Sequence, residues 1–275
     1  MTKRKVGLAL SRGAARGAAH IGILEILEKE GISIDMIAGT SAGAVAGALY
    51  AQRLNASRIK QQALELNWKR LAPLVDLSLP KTGFIKGKKI KDLLISSFGG
   101  DVKFRDLRIP FACVATDIES GEEVVIDSGS VPEAVRASIS IPAIFTVVSR
   151  GGRYLVDGSL VNPVPVSVVK RIGADFVIAI NVIPDVAEHA HRINKEREEG
   201  VKEPNIIHIL MQSTYIGTYA LGRASLEEAD IVIEPQTAHI GASEFHHAQE
   251  GILQGELAAQ AAIPEIKRLL ATRHP

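Results

Sequence analysis

The chain has 275 residues, of which 46% are hydrophobic, and this is enough apolar material for a large buried core. Its 32 basic and 31 acidic residues nearly cancel, so the overall charge gives no indication of nucleic-acid binding. The apolar run after the basic start is too short for a secretory signal, and no uncharged stretch reaches the length of a membrane span. We therefore expect a cytoplasmic protein with one α/β domain over residues 1–275.

Short apolar runs typical of buried strands alternate along the chain with segments of helical periodicity. The segment His20–Glu30 places its isoleucine and leucine side chains on one helix face and its charged residues opposite. This alternation predicts parallel strands in a sheet that is covered on both faces. Strands are predicted at Val6–Leu10, Asp35–Ala38, Phe111–Thr116, Glu122–Ile126, Phe176–Val182 and Ile231–Glu234. Further helices are predicted at Ala42–Gln52, Ile90–Phe98, Val131–Ala137, Val164–Arg171, Ile206–Ala229 and Glu244–Leu270. The last two are predicted to be core-packing helices, with oligomer contacts as the alternative.

A glycine-rich turn follows the first predicted strand and leads into the helix near His20. Residues 11–17 read Ser-Arg-Gly-Ala-Ala-Arg-Gly, which has neither the dinucleotide-binding spacing nor the phosphate-binding lysine. Backbone N–H groups in this turn suit an oxyanion hole better, with Gly13 and Ala14 as the expected donors. A purely structural turn, with Arg16 in a salt bridge, is the alternative. His20 is expected to be structural or capping, and a role in the site is its alternative.

The second predicted strand runs directly into the pentapeptide Gly-Thr-Ser-Ala-Gly at residues 39–43 and then into a helix rich in small residues. Gly39 and Gly43 remove Cβ atoms where strand and helix would cross closely. A sharp turn there would expose the Ser41 hydroxyl, and the helix N-terminus favours developing negative charge. Ser41 is the predicted nucleophile; close strand–helix packing without catalysis is the alternative.

Two charged stretches, Pro80–Lys91 and Asp185–Pro204, interrupt the alternation and are predicted to be insertions near one edge of the sheet. The first has five lysines around Phe84 and Ile85, a composition that suits peripheral contact with an anionic membrane; a solvated helix start is the alternative. The second is predicted to be an exposed loop rather than a lid.

The single cysteine, Cys113, lies in an apolar run that is predicted to be a strand. Apolar surroundings raise the pKa of a thiol and hide it, so we expect a buried structural thiol and not a nucleophile. One cysteine cannot form an intrachain disulfide.

A third motif ends the apolar run before Asp157, which is followed by Gly158 and Ser159. An aspartate before glycine is commonly a turn residue. Asp157 is also the best candidate for the group that activates Ser41.

The three motifs, in this order, resemble those of the patatin-like phospholipases. The resemblance rests on residues 12–17, 39–43 and 157–159, extends through residues 14–22, 115–117, 137–142 and 173–175, and covers essentially the whole chain. It implies a three-layer αβα fold with a mostly parallel sheet, a nucleophile elbow and a Ser41–Asp157 dyad. It also implies hydrolysis of lipid acyl esters, of phospholipase A or lysophospholipase type, without a metal or other cofactor. The residues that support the motifs are Arg12, Ala15, Arg16, Gly17, Gly39, Gly43, Gly158 and Ser159.

The chain departs from the family pattern in two places. The family loop usually reads Gly-Gly-Gly-x-Arg-Gly, whereas Arg12 and Ala14 replace two of its glycines here, and Ser159 replaces the usual Gly or Ala. Ala14 keeps its N–H, but its Cβ disfavours positive φ, so a displaced oxyanion hole is one expectation. Arg12 is expected either to narrow the site and contact an anionic head group or to face solvent.

An aspartate is a weak base at neutral pH, which favours esters over amides as substrates because esters have better leaving groups. An ordinary α/β-hydrolase with a histidine base is one alternative, although only one clear strand precedes Ser41. An acyltransferase that uses the same acyl-enzyme and a catalytically impaired member that binds lipid or protein are the others. The sequence leaves the head group, the acyl chain and the oligomeric state open. The histidines considered as the base are His208, His239, His246 and His247.

Overall fold

The computed structural model describes residues 4–53, 55–65, 76, 83–188 and 204–272, without the side chains of residues 207 and 208. The strands are β1 (Val6–Leu10), β2 (Met36–Thr40), β3 (Gly83–Ile85), β4 (Phe111–Asp117), β5 (Glu123–Ile126), β6 (Ala143–Phe145), β7 (Val148–Arg150), β8 (Arg153–Asp157), β9 (Phe176–Ile180) and β10 (Ile231–Ile233). The α-helices are α1 (Ala18–Lys29), α2 (Ala42–Arg53), α3 (Ala56–Glu65), α4 (Lys88–Phe98), α5 (Val131–Ser138), α6 (Val166–Arg171), α7 (Ile206–Leu226) and α8 (Ala248–Ala271). Short 3₁₀ turns lie at Ala14–Gly17, Phe104–Asp106, Gly158–Leu160 and Phe245–His247.

The described strands other than β3 and β6 form one sheet in the order β10-β9-β1-β2-β4-β8-β7, with β5 paired to β4. Strands β10, β9, β1, β2 and β4 are parallel, whereas β5, β7 and β8 are antiparallel to their neighbours. The prediction of an α/β fold with a mostly parallel sheet is confirmed. Leu10 pairs with Gly39, and Thr40 pairs with Val114, so β1, β2 and β4 run side by side to the same edge. In parallel α/β sheets, ligands bind beyond this carboxyl edge.

Side chains alternate between the two faces of the sheet, and each face is covered by helices. Leu8, Leu10 and Ile37 belong to one buried cluster, which also includes residues of α1, α2, α5 and α8. Ala9 and Ala38 belong to a second cluster on the other face, with residues of α6 and α7. The chain therefore has three layers, helices–sheet–helices.

The predicted strands and helices are all present, and the differences lie mainly at their ends. Helix α6 begins at Val166 rather than Val164, because the segment before it contains two prolines that lack an N–H donor. Helix α8 begins at Ala248, after the 3₁₀ turn, rather than at Glu244. The antiparallel hairpin of β7 and β8 was not among the predicted strands. Its two-residue turn is Gly151–Gly152, and both glycines have positive φ, 58° and 78°.

The first charged stretch contains one short strand and the start of a helix. Strand β3 pairs in parallel with β6 in a separate two-stranded sheet, so it does not extend an edge of the main sheet. Gly87, at φ 70°, then starts α4, as the alternative of a solvated helix start predicts. Residues 80–82 of this stretch and residues 189–203 of the second lie outside the described ranges.

Candidate active site

Ser41 occupies the turn between β2 and α2 and has φ 55°, in the left-handed region that non-glycine residues rarely adopt. Such a conformation costs about 1–3 kcal/mol and persists only where the surroundings enforce it. Here they do, because strand and helix cross very closely. A Cβ on Gly39 would lie 2.5 Å from Gly43 O, and a Cβ on Gly43 would lie 2.2 Å from Leu10 O. The predicted close crossing at both glycines is therefore confirmed.

The Ser41 hydroxyl donates a hydrogen bond to the carboxylate of Asp157, with 2.6 Å between Oγ and Oδ2. The two residues come from different parts of the sheet: Ser41 follows β2, and Asp157 is the last residue of β8. They meet because β4 pairs with both strands. The structure thus brings together the two side chains that the sequence indicates as nucleophile and base.

Asp157 is held in one orientation by bonds to its second oxygen and its backbone. The Ser159 N–H donates to Asp157 Oδ1 over 2.9 Å, which leaves Oδ2 for Ser41. The Asp157 N–H donates to Ser140 O, and Thr116 Oγ1 donates to Asp157 O, each over 2.9 Å. Gly158 is required beside it, because a Cβ there would lie 2.3 Å from Val114 O.

Burial makes Asp157 a stronger base than an aspartate in water. Ser41 and Asp157 are only 7% and 2% exposed, so little water solvates the carboxylate. This desolvation raises the pKa of Asp157; the hydrogen bonds from Ser41 and Ser159 and the positive charge of Arg12 oppose the rise without cancelling it. A raised pKa brings the carboxylate closer to the proton affinity that general-base catalysis at neutral pH needs.

Two serines, the last residue of α5 and the residue two positions beyond it, support the site and were not predicted as site residues from the sequence. The Ser41 N–H donates to Ser138 Oγ over 3.0 Å, and the Asp157 N–H reaches the carbonyl of Ser140. One short segment therefore contacts both members of the Ser41–Asp157 pair. The Ser-Ile-Ser sequence at residues 138–140, part of the family resemblance, was the available signal.

The glycine-rich turn after β1 adopts a left-handed conformation despite its missing glycine. Ala14 has φ 49°, so its Cβ does not prevent positive φ there, at a cost of roughly 1–2 kcal/mol. The Arg12 and Ala15 N–H groups donate to Pro163 O and Ala242 O. No turn or loop hydrogen bond is made by the N–H groups of Gly13 or Ala14 within the described ranges.

Close packing places this turn beside Ser41. A Cβ on Gly17 would lie 2.4 Å from the Cβ of Ala42, the residue after Ser41. A Cβ on Gly13 would lie 2.3 Å from Val182 Cγ2, which explains why the middle glycine of the motif is kept. Ala15 and Arg16 are buried within the turn. The turn therefore packs against the start of α2, next to Ser41.

Arg12 turns inward, so the expectation that it faces solvent is wrong. Its guanidinium carbon lies 5.5 Å from the ring centroid of Tyr215, a residue of α7. Its Nε and Nη2 atoms are buried, and neither finds a hydrogen-bond acceptor in the described part of the chain. Burial lowers the pKa of Arg12, and the negative charge of Asp157 acts in the opposite direction. Arg12 thus brings a positive charge to the site.

Of the four histidines considered as the base, His239 and His247 bond to Glu250, and the ring of His246 lies against that of His247 with 4.3 Å between the centroids. His239 Nε2 and His247 Nδ1 lie 2.8 and 2.9 Å from the two carboxylate oxygens of Glu250. The side chain of His208 lies outside the described part. Cys113 is fully buried, and desolvation raises its pKa to about 12, so the expectation of an inert thiol is confirmed.

His20 is a structural residue beneath the glycine-rich turn. It is 0% exposed, and its Nε2–H donates to Ser11 O over 2.9 Å. Its Nδ1 has no hydrogen-bond acceptor or donor among the described residues. Burial lowers the pKa of His20 from 6.5 to about 4 despite the bond to Ser11, so the ring is neutral at physiological pH.

We expect His20 to make the stability of the fold depend on pH. In the unfolded chain His20 takes up a proton below about pH 6.5, whereas in the folded chain it does so only near pH 4. The free energy of unfolding is therefore highest, as far as His20 determines it, above about pH 6.5. It decreases by about 3 kcal/mol as the pH falls towards 4. Chemical unfolding at pH 7 and pH 4.5 measures the loss. His20→Gln keeps a donor for Ser11 O and should show a smaller decrease; an equal decrease in both proteins would contradict this assignment.

A family model described as patatin-like phospholipase matches residues 8–170. The chain belongs to the patatin-like phospholipase family. Neuropathy target esterase sws of Drosophila melanogaster is 36% identical over 187 residues, which cover 66% of this chain and 13% of that protein. Patatin-like phospholipase domain-containing protein 6 of Homo sapiens is 36% identical over 189 residues, which cover 66% of this chain and 14% of that protein.

An uncharacterized NTE family protein of Mycobacterium tuberculosis is 36% identical over 179 residues, which cover 65% of this patatin-like chain and 49% of that protein. The chain thus spans less than half the length of these relatives. Among solved structures, VipD of Legionella pneumophila superposes with a TM-score of 0.54 at 13% identity, covering 96% of this chain and 67% of VipD. This likeness supports the patatin-like fold.

Two further features of the described residues bear on ligands and membranes. Within the described ranges, the structure has no group of three or more His, Cys, Asp or Glu side chains that could hold a metal ion. Likewise, none of the helices that it describes has the length and apolar character needed to cross a bilayer.

Proposed function

We propose that residues 1–275 act as one hydrolase domain that cleaves acyl esters of lipids, as a phospholipase A or lysophospholipase. The observation that supports this most directly is the 2.6 Å hydrogen bond between Ser41 Oγ and Asp157 Oδ2 at a strained strand–helix turn. Membership of the patatin-like phospholipase family points to the same chemistry. The proposal includes a cytoplasmic location with peripheral contact to lipid.

In the first half of the reaction, Ser41 Oγ attacks the ester carbonyl carbon while its proton passes to Asp157 Oδ2. The carbonyl oxygen gains the negative charge that Asp157 loses. The N–H groups of Gly13 and Ala14 then donate to this oxyanion, and each such donor is typically worth ~3 kcal/mol. Collapse of the intermediate breaks the bond to the alcohol, which leaves with the proton from Asp157. The acyl group remains on Ser41.

In the second half, water replaces the alcohol. A water molecule attacks the acyl-enzyme carbonyl and gives a proton to Asp157 Oδ2. Collapse then breaks the bond to Ser41 Oγ, which takes that proton back, and the carboxylic acid is released. Asp157 thus acts as base and then acid in each half-reaction.

The pairing with an aspartate favours esters over amides. An aspartate in water is a weaker base than an imidazole, and burial raises the pKa of Asp157 from that starting point. An alkoxide leaving group needs less protonation than an amine does, so the oxyanion donors can account for a larger part of the rate acceleration. Arg12 adds a positive charge near the developing oxyanion.

Covalent labelling by a fluorophosphonate, together with hydrolysis of a short-to-long acyl ester series, tests the proposal. The reagent should label Ser41 in the wild type, with no label on Ser41→Ala. We expect the wild type to hydrolyse the soluble short-chain esters of the series. A folded wild-type protein that takes no label and hydrolyses no ester in the series would refute a hydrolase and favour a lipid-binding or protein-binding member. Labelling of Ser41 without net hydrolysis of the esters, but with transfer of the acyl group to an added alcohol, would favour the acyltransferase.

A further inference from the structure

Helix α7 exposes a row of large aliphatic side chains on its outer face. We call Ile206, Ile209, Leu210, Ile216 and Leu221 the apolar stripe; they are 73%, 52%, 50%, 58% and 43% exposed. With 3.6 residues per turn, these positions fall on one side of the helix. The residues between them on that side, Ser213, Gly217 and Ala220, are small. The expectation of a core-packing helix therefore holds for one of its faces.

The opposite face of α7 is fixed to the candidate active site. Tyr215, Thr218 and Leu226 are 7%, 4% and 6% exposed. Tyr215 lies against the Arg12 guanidinium, and its hydroxyl donates to Pro184 O over 2.7 Å. The helix also packs against the turn Gly158–Leu160, which directly follows Asp157. The apolar stripe therefore lies on one side of α7, and the residues that surround Ser41 contact the other side.

The composition of α7 suits hydrocarbon better than water. Residues 206–222 contain no Asp, Glu, Lys or Arg. Soluble proteins rarely expose several neighbouring large aliphatic side chains without a binding role. A helix with one apolar face and a fixed orientation can lie flat in a lipid interface, with its apolar side chains among the acyl chains.

We propose that the apolar stripe docks the protein on the surface of a lipid bilayer. The choice of lipid rests on the proposed function, since the substrate of a lipid acyl hydrolase has its ester at that interface. A second copy of the chain is the other occupant to consider. Five side chains of one helix offer less area than the about 800 Å² that each partner of a stable complex usually buries.

Sedimentation with vesicles of phosphatidylcholine tests the stripe by itself, because these vesicles carry no net charge. The variant is Ile209→Gln with Ile216→Gln, and glutamine keeps the helix propensity. The matched control is Leu253→Gln with Leu257→Gln on α8, where both leucines are about as exposed, at 50% and 51%. We expect the constant for partitioning onto vesicles to fall roughly tenfold or more in the stripe variant, because two apolar side chains that insert into the bilayer are lost. The control should bind as the wild type does.

Salt and hydrolysis distinguish this surface from others. On vesicles that also contain an anionic lipid, binding through the stripe should change little when NaCl rises from about 0.1 to about 0.5 M, whereas binding through Lys86 and Lys88 would weaken because salt screens charges. A soluble short-chain ester should be hydrolysed equally by the wild type and the stripe variant, and an ester within vesicles more slowly by the variant.

Three results would overturn the docking surface. The first is unchanged vesicle binding by the stripe variant, and the second is an equal loss of binding in the control. The third is a wild type that is a dimer in sedimentation velocity and binds no vesicles, with a stripe variant that is a monomer. Failure of the proposed function is distinguishable from these results. If Ser41 takes no fluorophosphonate but the stripe variant alone loses vesicle binding, the docking surface stands and the hydrolase does not.

Discussion

Asp157→Asn is expected to lower kcat for a soluble ester by about 10²–10⁴-fold, the usual contribution of a positioned general base. Asparagine keeps an oxygen for the Ser159 N–H and has nearly the same shape, so the site should stay assembled. Its amide would face Ser41 Oγ with a donor in place of Oδ2 and could accept no proton. Ser41→Ala removes the nucleophile and should leave only background hydrolysis. Steady-state kinetics on a soluble short-chain ester measures both effects.

The pH profile identifies the base. Protonated Asp157 cannot accept the Ser41 proton, so kcat/KM should fall as the pH decreases through the pKa of Asp157. Burial raises that pKa, which places the midpoint above the ~3.9 of an aspartate in water. The positive charge of Arg12 lowers it, so Arg12→Gln should move the midpoint to higher pH. A histidine base would give a midpoint near ~6.5 that does not respond to Arg12.

Circular dichroism and thermal unfolding provide the control for these variants, because a loss of activity is informative only in a folded protein. A wild-type kcat for Asp157→Asn would show that Asp157 takes no part in the reaction. A Ser41→Ala protein that hydrolyses the ester at the wild-type rate would show that neither residue of the pair does.

The Ser41–Asp157 contact was predictable from sequence because each residue ends an apolar run that forms a strand of the same sheet. Parallel strands with helical crossovers bring their carboxyl ends to one edge, so Ser41 after β2 was expected there. Asp157 reaches this edge from an antiparallel strand, β8, whose pairing the helix–strand alternation did not predict. The motif order supplied that partner where the hydrophobic pattern could not.

The hairpin of β7 and β8 was missed because β7 has only three residues and β8 begins with the exposed Arg153 and Tyr154, which leaves a short apolar run before Asp157. The Gly151–Gly152 turn was the local signal for it. The inward orientation of Arg12 was not predictable from local sequence, since it depends on Tyr215, more than 200 residues later. Ala14 at φ 49° shows the same limit: surrounding contacts hold a conformation that its own propensity disfavours.

Gly43→Ala is expected to have the largest effect on the fold of any single methyl group added near the site. The new Cβ would lie 2.2 Å from Leu10 O and 2.6 Å from Ser11 O, and both atoms belong to backbone that is fixed in the sheet and its following turn. Helix α2 must then move away from β1. Overpacking of this kind typically lowers the free energy of unfolding by 1–3 kcal/mol, and we expect about 3 kcal/mol here.

The same shift should also lower activity, because α2 begins next to Ser41 and the turn containing Gly13 begins next to Leu10. A displacement of about 1 Å between nucleophile and oxyanion donors can cost about 10²-fold in rate. The matched control is Gly217→Ala in α7, where no atom lies within 4 Å of the new Cβ. That substitution should raise stability by up to about 1 kcal/mol through helix propensity and leave soluble-ester kinetics unchanged. Equal unfolding free energies and rates for the two alanine variants would show that the close crossing at Gly43 does not position Ser41.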